Sequence, residues 1–353
     1  MLPRVEILTR AVEAGASDVH IVTGQPPIMR LHTVLSPMEG YPVVTQADAM
    51  DMVREIAPER MLPRLEEIRD LDFSSQVEGI GRFRVNAHYQ RDVLGIAFRA
   101  IPSEVPPFES LQLPKVIGPF ADLPRGLVLV TGPTGSGKST TLASIIDSMN
   151  HRLKRHVITV EDPIEYDLLS DQCLIEQREL GLDVPSFASG LRHALRQDPD
   201  VILVGEMRDL ETTSAAITAA ETGHLVLSTM HTSYASQTVA RIVDIYPAEQ
   251  QAQIRNMLAG SLAAVVTQTL FKRIDQPGMI PACEVMICNA AVRNCVRENR
   301  LHEIPNIIGT NRAMGMCIMD ESIKNLVVNG KISKADALSK AIQPEALARV
   351  LGG

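Results

Sequence analysis

The sequence predicts an α/β protein of two domains, on three grounds. Its 353 residues exceed what one ordinary core holds. From Gly126 onward, wholly apolar runs alternate with amphipathic ones, the pattern of a mostly parallel sheet covered by helices on both faces. Between that region and the first hundred residues lies a stretch, 101–119, that holds Pro102, Pro106, Pro107, Pro114 and Pro119.

The first hundred residues read as a small α/β domain. Residues 5–13 have helical spacing and stop near Gly15, and 18–23 and 28–33 are short β-rich runs on either side of Pro26 and Pro27. Residues 46–68 are helical, with a break near Pro58 and Pro63. Three strands follow at 70–77, 82–89 and 94–101, with Gly79 and Gly81 at one turn. The prolines of 101–119 favour extended chain and block helix, which makes this stretch a semi-rigid linker and a hinge. Beyond it, 126–131, 156–161, 201–205 and 225–230 read as strands, and 138–150, 187–196 and 210–222 as helices. From Pro247 the chain reads as mainly helical. The longest apolar run, 257–271, contains Ser261, Thr267, Gln268 and Thr269 and reads as a buried helix, not a membrane span.

Composition narrows the function. Hydrophobic residues make up 45% and charged residues 22%, a globular profile. Aromatics are only 3% and Trp is absent, so aliphatic side chains fill the core. A net charge of -8 argues against a protein whose main task is to coat nucleic acid. The five cysteines are odd in number and form no CxxC pair, which disfavours a disulfide framework or a four-thiolate zinc site and suits reduced thiols in a cytosolic protein. Arg4 and Glu6 interrupt the start where a signal peptide would be apolar.

The chemistry concentrates at Gly132–Ser139, which reads G-P-T-G-S-G-K-S. It follows a predicted strand and opens a predicted helix, the context a phosphate loop requires. Gly132, Gly135 and Gly137 let the backbone curl so that successive N–H groups point at phosphate oxygens, and the helix adds its positive end. Lys138 would reach the β- and γ-phosphates, and the Ser139 hydroxyl would serve Mg²⁺. Hydrolysis also needs a carboxylate for the metal and a group to activate water. Two acidic runs fall at strand ends: Glu161-Asp162-Pro163-Ile164-Glu165 and Gly205-Glu206. His224 and His231 flank the run 225–230; seven residues apart is not a metal-pair spacing, which leaves a structural role or sensing of the γ-phosphate. Arg82 and Arg84 alternate with Phe83 and Val85, so they form either a solvated polar face or a source of an arginine for phosphate.

Four boxes in order then resemble the type II/IV secretion ATPase superfamily, and within it the subgroup that retracts type IV pili. They are the Walker A box at 132–140, I-T-V-E-D-P-I-E-Y at 158–166, D-P-D-V-I-L-V-G-E-M-R-D at 198–209, and A-A-E-T-G-H-L-V-L-S-T-M-H-T at 219–232. The S-D-V-H at 17–20 and G-R-F-R-V-N-A at 81–87 are similar too. The resemblance implies a PAS-like N-terminal domain (1–101), the linker (102–119), and a RecA-like ATPase domain (120–353) with a helical C-terminal subdomain. It implies ATP and Mg²⁺, held by Gly132, Pro133, Thr134, Gly135, Ser136, Gly137, Lys138, Ser139, Thr140 and Asp162, with Ser139 and Glu206 at the metal. Glu165 rather than Glu161 activates water, His224 and His231 follow the nucleotide state, and Arg84 first, Arg99 second, approaches the phosphates. Residues 291–298, A-V-R-N-C-V-R-E, resemble the retraction signature A-I-R-N-L-I-R-E, which makes Arg293, Asn294, Arg297 and Glu298 a coupling helix. By spacing, Arg293, Arg297 and Arg300 share one face of it. Expected partners are five further copies in a hexamer, an inner-membrane pilus platform protein and a paralogous retraction ATPase, at the cytoplasmic face of the inner membrane, with no nucleic acid. The alternatives are a pilus-assembly or type II secretion ATPase, whose relatives usually carry an extra N-terminal domain and a four-cysteine insertion, and a ring-shaped nucleic-acid motor.

Overall fold

The computed structural model describes residues 2–31, 34–102 and 104–352. The chain divides into two compact units, Met1–Glu104 with Pro163–Asp167, and Val105–Asp162 with Leu168–Gly353.

The first unit runs α1 (Arg4–Glu13), β1 (Asp18–Val22), β2 (Ile28–Leu31), β3 (Val34–Pro37), α2 (Gln46–Ile56), α3 (Leu62–Ile68), β4 (Asp70–Val77), β5 (Gly81–Gln90) and β6 (Val93–Ile101). Its strands form one antiparallel sheet in the order β3-β2-β1-β6-β5-β4. Residues 32–33, which the sequence assigns to the second strand, lie outside the described residues. Period-two alternation sets the faces: Phe83, Val85 and Ala87 of β5 are buried while Arg84 between them is exposed. The Phe83 and Phe98 rings meet edge to face with centroids 6.1 Å apart. Ile7, Leu8, Met52, Val53 and Leu65 are among the buried residues that the three helices add to the core. Thr45 and Asp48 close a capping box that starts α2.

The second unit runs β7 (Gly126–Thr131), α4 (Lys138–Asn150), β8 (His156–Glu161), β9 (Leu174–Glu179), α5 (Phe187–Ala194), β10 (Val201–Val204), α6 (Leu210–Glu221), β11 (Leu225–Met230), α7 (Ala235–Asp244), α8 (Gln251–Ser261), β12 (Leu262–Lys272), β13 (Met279–Ile287), α9 (Ala290–Arg297), α10 (Ile304–Thr310), α11 (Met319–Val328), α12 (Lys334–Lys340) and α13 (Pro344–Gly352). The sheet order is β13-β12-β7-β11-β10-β8-β9; every neighbouring pair is parallel except β12 with β13. This is the α/β class with a mostly parallel sheet that the alternating runs predict. All residues of β7, β10 and β11 are buried, as strands covered on both faces must be.

Two expectations are corrected. The run 257–271 is not one helix: α8 ends at Ser261 and the rest is β12. A continuous apolar run fits a buried strand as well as a buried helix, and the β-branched Val265, Val266, Thr267 and Thr269 tip it to strand once β7 offers a partner. The proline-rich stretch is not simply extended either. Phe108–Leu111 and Lys115–Asp122 are 3₁₀ helices that start after Pro107 and Pro114, because the fixed proline φ suits the entry to a helical turn. From Val105 the stretch is part of the second unit, where the Ser144 hydroxyl of α4 donates to Pro106 O at 3.0 Å.

Candidate functional site

β7 ends at Thr131 and α4 begins at Lys138, so residues 132–137 form the loop between a buried strand and a helix start. Gly132 has φ +138°, and a Cβ there would lie 2.2 Å from the carbonyl oxygen of Gln268 on β12. Only glycine lets the loop leave the sheet at that point. Gly137, at φ +87°, precedes α4 and brings no side-chain cap, which leaves the first N–H groups of the helix to the loop. Lys138 is buried and its Nζ donates to the carbonyls of Gly132 and Pro133, both at 3.0 Å. The amine is thus folded over the loop it would share with phosphate. Ser136 is buried beside it. Across the strands below, the hydroxyls of Thr131 and Thr267 meet at 2.8 Å. A cavity of about 380 Å³ opens at the loop, lined by Thr134, Ser136, Ser233, Thr269, Met319 and Lys340 among others.

Two strands away, Glu206 follows β10. With neighbouring strands about 4.8 Å apart, β10 stands about 10 Å from β7, a gap that a metal ion and its waters span. The turn is clamped from β11: the Thr229 hydroxyl donates to Gly205 O at 2.6 Å, and the Met207 N–H donates to Thr229 O at 3.2 Å. One carboxylate oxygen of Glu206 pairs with Arg208 Nε; the other faces His231 Nε2 at 3.3 Å. The hydrogen bond from Arg208 to Glu206 and the charge of Glu206, with a smaller contribution from Asp162, push the guanidinium pKa up. Arg208 is a site residue that the sequence reading passed over. Its signal was the spacing Glu206-x-Arg208 after a strand.

The two acidic residues of the first box differ. Glu161 Oε1 accepts from the Thr159 hydroxyl at 2.7 Å and from Gln177 Nε2 at 3.0 Å, so it is held in the sheet by β8 and β9. Glu165 is exposed and belongs to Pro163–Asp167, the segment that groups with the first unit. Asp162 is exposed at the end of β8.

The two histidines are not brought together. β11 is parallel to β7, with Leu225 opposite Gly126 and Met230 opposite Thr131. His231 is therefore at the loop end and His224 at the other, about 23 Å away at about 3.3 Å per residue. His224 Nδ1 lies 3.0 Å from Ala219 O, and its own carbonyl accepts from the Gly126 N–H at 3.0 Å. Within one chain His224 does not reach the phosphate loop.

Arg84 and Arg99, in the first unit, face each other across β5 and β6, and Asp18 of β1 is next in the row. Arg99 Nε donates to Asp18 Oδ1 at 2.9 Å. Partial burial pushes the Asp18 carboxyl up, but the hydrogen bonds from Arg99 and Ser17 outweigh it and hold it below the usual range. Arg84 is exposed.

The coupling helix is split by its contacts. Arg293 turns inward: Nη1 donates to Ala259 O at 2.6 Å and Gly260 O at 2.7 Å, and Nε to Cys288 O at 2.9 Å. It closes the carboxyl end of α8. Asn294, Arg297 and Glu298 are exposed. Arg300 lies beyond α9 and pairs with Glu303 at 2.9 Å, so the three arginines do not form one face.

Residues 112–347 match the family model of type II/IV secretion system proteins. The chain is 45% identical over 340 residues to the type IV pilus retraction ATPase PilT of Pseudomonas aeruginosa, covering 96% of this chain and 98% of that one. It is 44% identical over 321 residues to a twitching motility protein of Neisseria gonorrhoeae, covering 91% and 86%. Among solved structures, it is similar to the pilus retraction motor PilT with bound ADP, at a TM-score of 0.93 and 41% identity, covering 99% of this chain and 100% of that one.

Proposed function

The chain belongs to the type II/IV secretion system protein family, and we propose that it is an ATP-hydrolysing motor that powers retraction of type IV pili. One observation carries the reading: a phosphate loop with its lysine, and the Glu206–His231 pair, stand at the carboxyl ends of neighbouring strands in a chain similar over nearly its whole length to retraction ATPases.

The reaction is phosphoryl transfer to water, in which positioning and charge stabilisation supply the rate. The N–H groups of 132–139 cradle the phosphates, and Lys138 exchanges its two carbonyl partners for phosphate oxygens. The Ser139 hydroxyl and the Glu206 carboxylate are hard oxygen donors that suit Mg²⁺, which when bound neutralises phosphate charge. Arg208 keeps the Glu206 carboxylate aimed. Glu165 activates the attacking water; its exposed carboxylate is at liberty to do so, whereas that of Glu161 is taken up by Thr159 and Gln177. His231, against Glu206, follows the nucleotide state. Arg84, with Arg99 second, supplies positive charge to the phosphates. The exposed Asn294, Arg297 and Glu298 pass the motion to a pilus platform protein at the cytoplasmic face of the inner membrane. Among the described residues no helix is long and apolar enough to cross a membrane.

Deleting the gene tests the reading. Retained fibres that no longer retract are the expected result. Loss of the fibres themselves would favour an assembly or secretion motor.

A further inference from the structure

Glu284 is a buried acid that no step above uses. It stands on β13 opposite Thr267 of β12, which in turn faces Thr131 of β7. The three form a row across the sheet immediately before the phosphate loop. Glu284 is only 6% exposed. Its Oε1 accepts from the Ala235 N–H at 2.6 Å and its Oε2 from the Met319 N–H at 3.3 Å. These are the first residues of α7 and α11, and neither helix is capped by the side chain of its own N-cap residue, Tyr234 or Ile318. A carboxylate at a helix start satisfies an orphan N–H and meets the positive end of the dipole. Here one carboxylate does so for two helices. Burial pushes its pKa above the usual carboxylate range, and the two N–H groups offset only part of that rise.

Both helix starts border the nucleotide site. α7 follows residues 231–234 directly, and these include His231 against Glu206 and Ser233 at the cavity. Met319 lines the same cavity. The connection is stiff: the hydroxyls of Thr232 and Thr238 meet at 2.7 Å, and Gln237 Oε1 accepts from the Ser233 N–H at 2.9 Å.

We propose that Glu284 is a positioning residue for ATP hydrolysis. It fixes the start of α7, and with it the segment that carries His231 and Ser233, against the phosphate loop, and it fastens α11 to the same carboxylate. This rests on the ATPase reading. A buried acid serving only packing would cost stability when replaced and leave turnover per folded molecule unchanged.

The full-length chain is compared with Glu284→Gln, in which one acceptor is kept and an NH₂ faces the other N–H. Glu284→Asp, which keeps the charge one methylene short, is a second variant should the first not fold. For Glu284→Gln, kcat falls about tenfold or more. KM for ATP stays within about twofold and the number of ADP sites is unchanged, as expected when only transition-state positioning is lost. Amide exchange quickens at the starts of both α7 and α11. Unchanged kcat in a folded variant overturns the proposal. So does a fall in kcat matched by an equal loss of ADP sites, or unaltered exchange at both helix starts. Lys138→Ala is run alongside. Turnover that survives it sinks the assignment of hydrolysis to this phosphate loop, while the exchange data still decide whether Glu284 holds the two helices.

Discussion

Glu161 and Glu165 stand four residues apart in one acidic box, and their surroundings separate them. Glu161 accepts through Oε1 from two donors inside the sheet, and Glu165 is exposed. Glu165→Gln keeps the volume and removes the base. It should bind ATP as tightly as the unaltered chain and lose turnover by about 100-fold or more, an effect on the scale of a general base. Nucleotide titration and steady-state phosphate release check it; turnover within threefold of the original would assign the water to another residue. Gly132 makes a different point at this scale. The 2.2 Å approach of its missing Cβ to Gln268 O explains why the motif opens on glycine, and that partner comes from a strand far along the chain.

The element that changes most on seeing the fold is α9. As a sequence it is a basic stripe. In three dimensions Arg293 is spent on three carbonyls at the end of α8 and beside β13, and only Asn294, Arg297 and Glu298 are left for a partner. Arg293→Ala should therefore destabilise the second unit by about 1.5–3 kcal/mol, the range for hydrogen bonds to a charged group. Arg293→Lys should recover only part, because one ammonium cannot fork to three carbonyls. Denaturant midpoints test this; an unshifted midpoint for Arg293→Ala would place the residue among the partner contacts after all. β12 shows a related effect. Its residues 262–271 match a helix template in isolation, and pairing with β7 and β13 makes them a strand that supplies Thr267 and Gln268 to the foot of the loop.

At the scale of the molecule, His224 is informative. It lies about 23 Å along the sheet from the loop of its own chain. A role in following the nucleotide then needs a ring, in which another copy brings its own site near. The protein should assemble as a hexamer when nucleotide is added, and light scattering of the eluting species checks this. A monomer at micromolar concentration with ATP would contradict the motor. The division of the chain carries the same weight: Pro163–Asp167, with the proposed catalytic Glu165, groups with the N-terminal unit, although it follows β8 of the other.

What the sequence determined by itself is local. Gly132, Gly135 and Gly137 between an apolar strand and a helix start specify a phosphate loop, because only short-range backbone geometry is involved. Fully apolar runs identified the central strands, because burial on both faces leaves no polar positions. Acids after strands pointed to Glu206 and the box of Glu165, because parallel strands share one carboxyl edge. The tertiary structure decided what depends on distant partners. It chose strand over helix for 262–271, tied Arg293 and Glu161 to hydrogen-bond partners within the fold, set Arg208 on Glu206, and parted the two histidines. It also brought Glu284 under two helix starts. Apart from Arg208, which lies two residues from Glu206, these turn on strands and side chains brought from elsewhere in the chain, and no local pattern records where such neighbours will be.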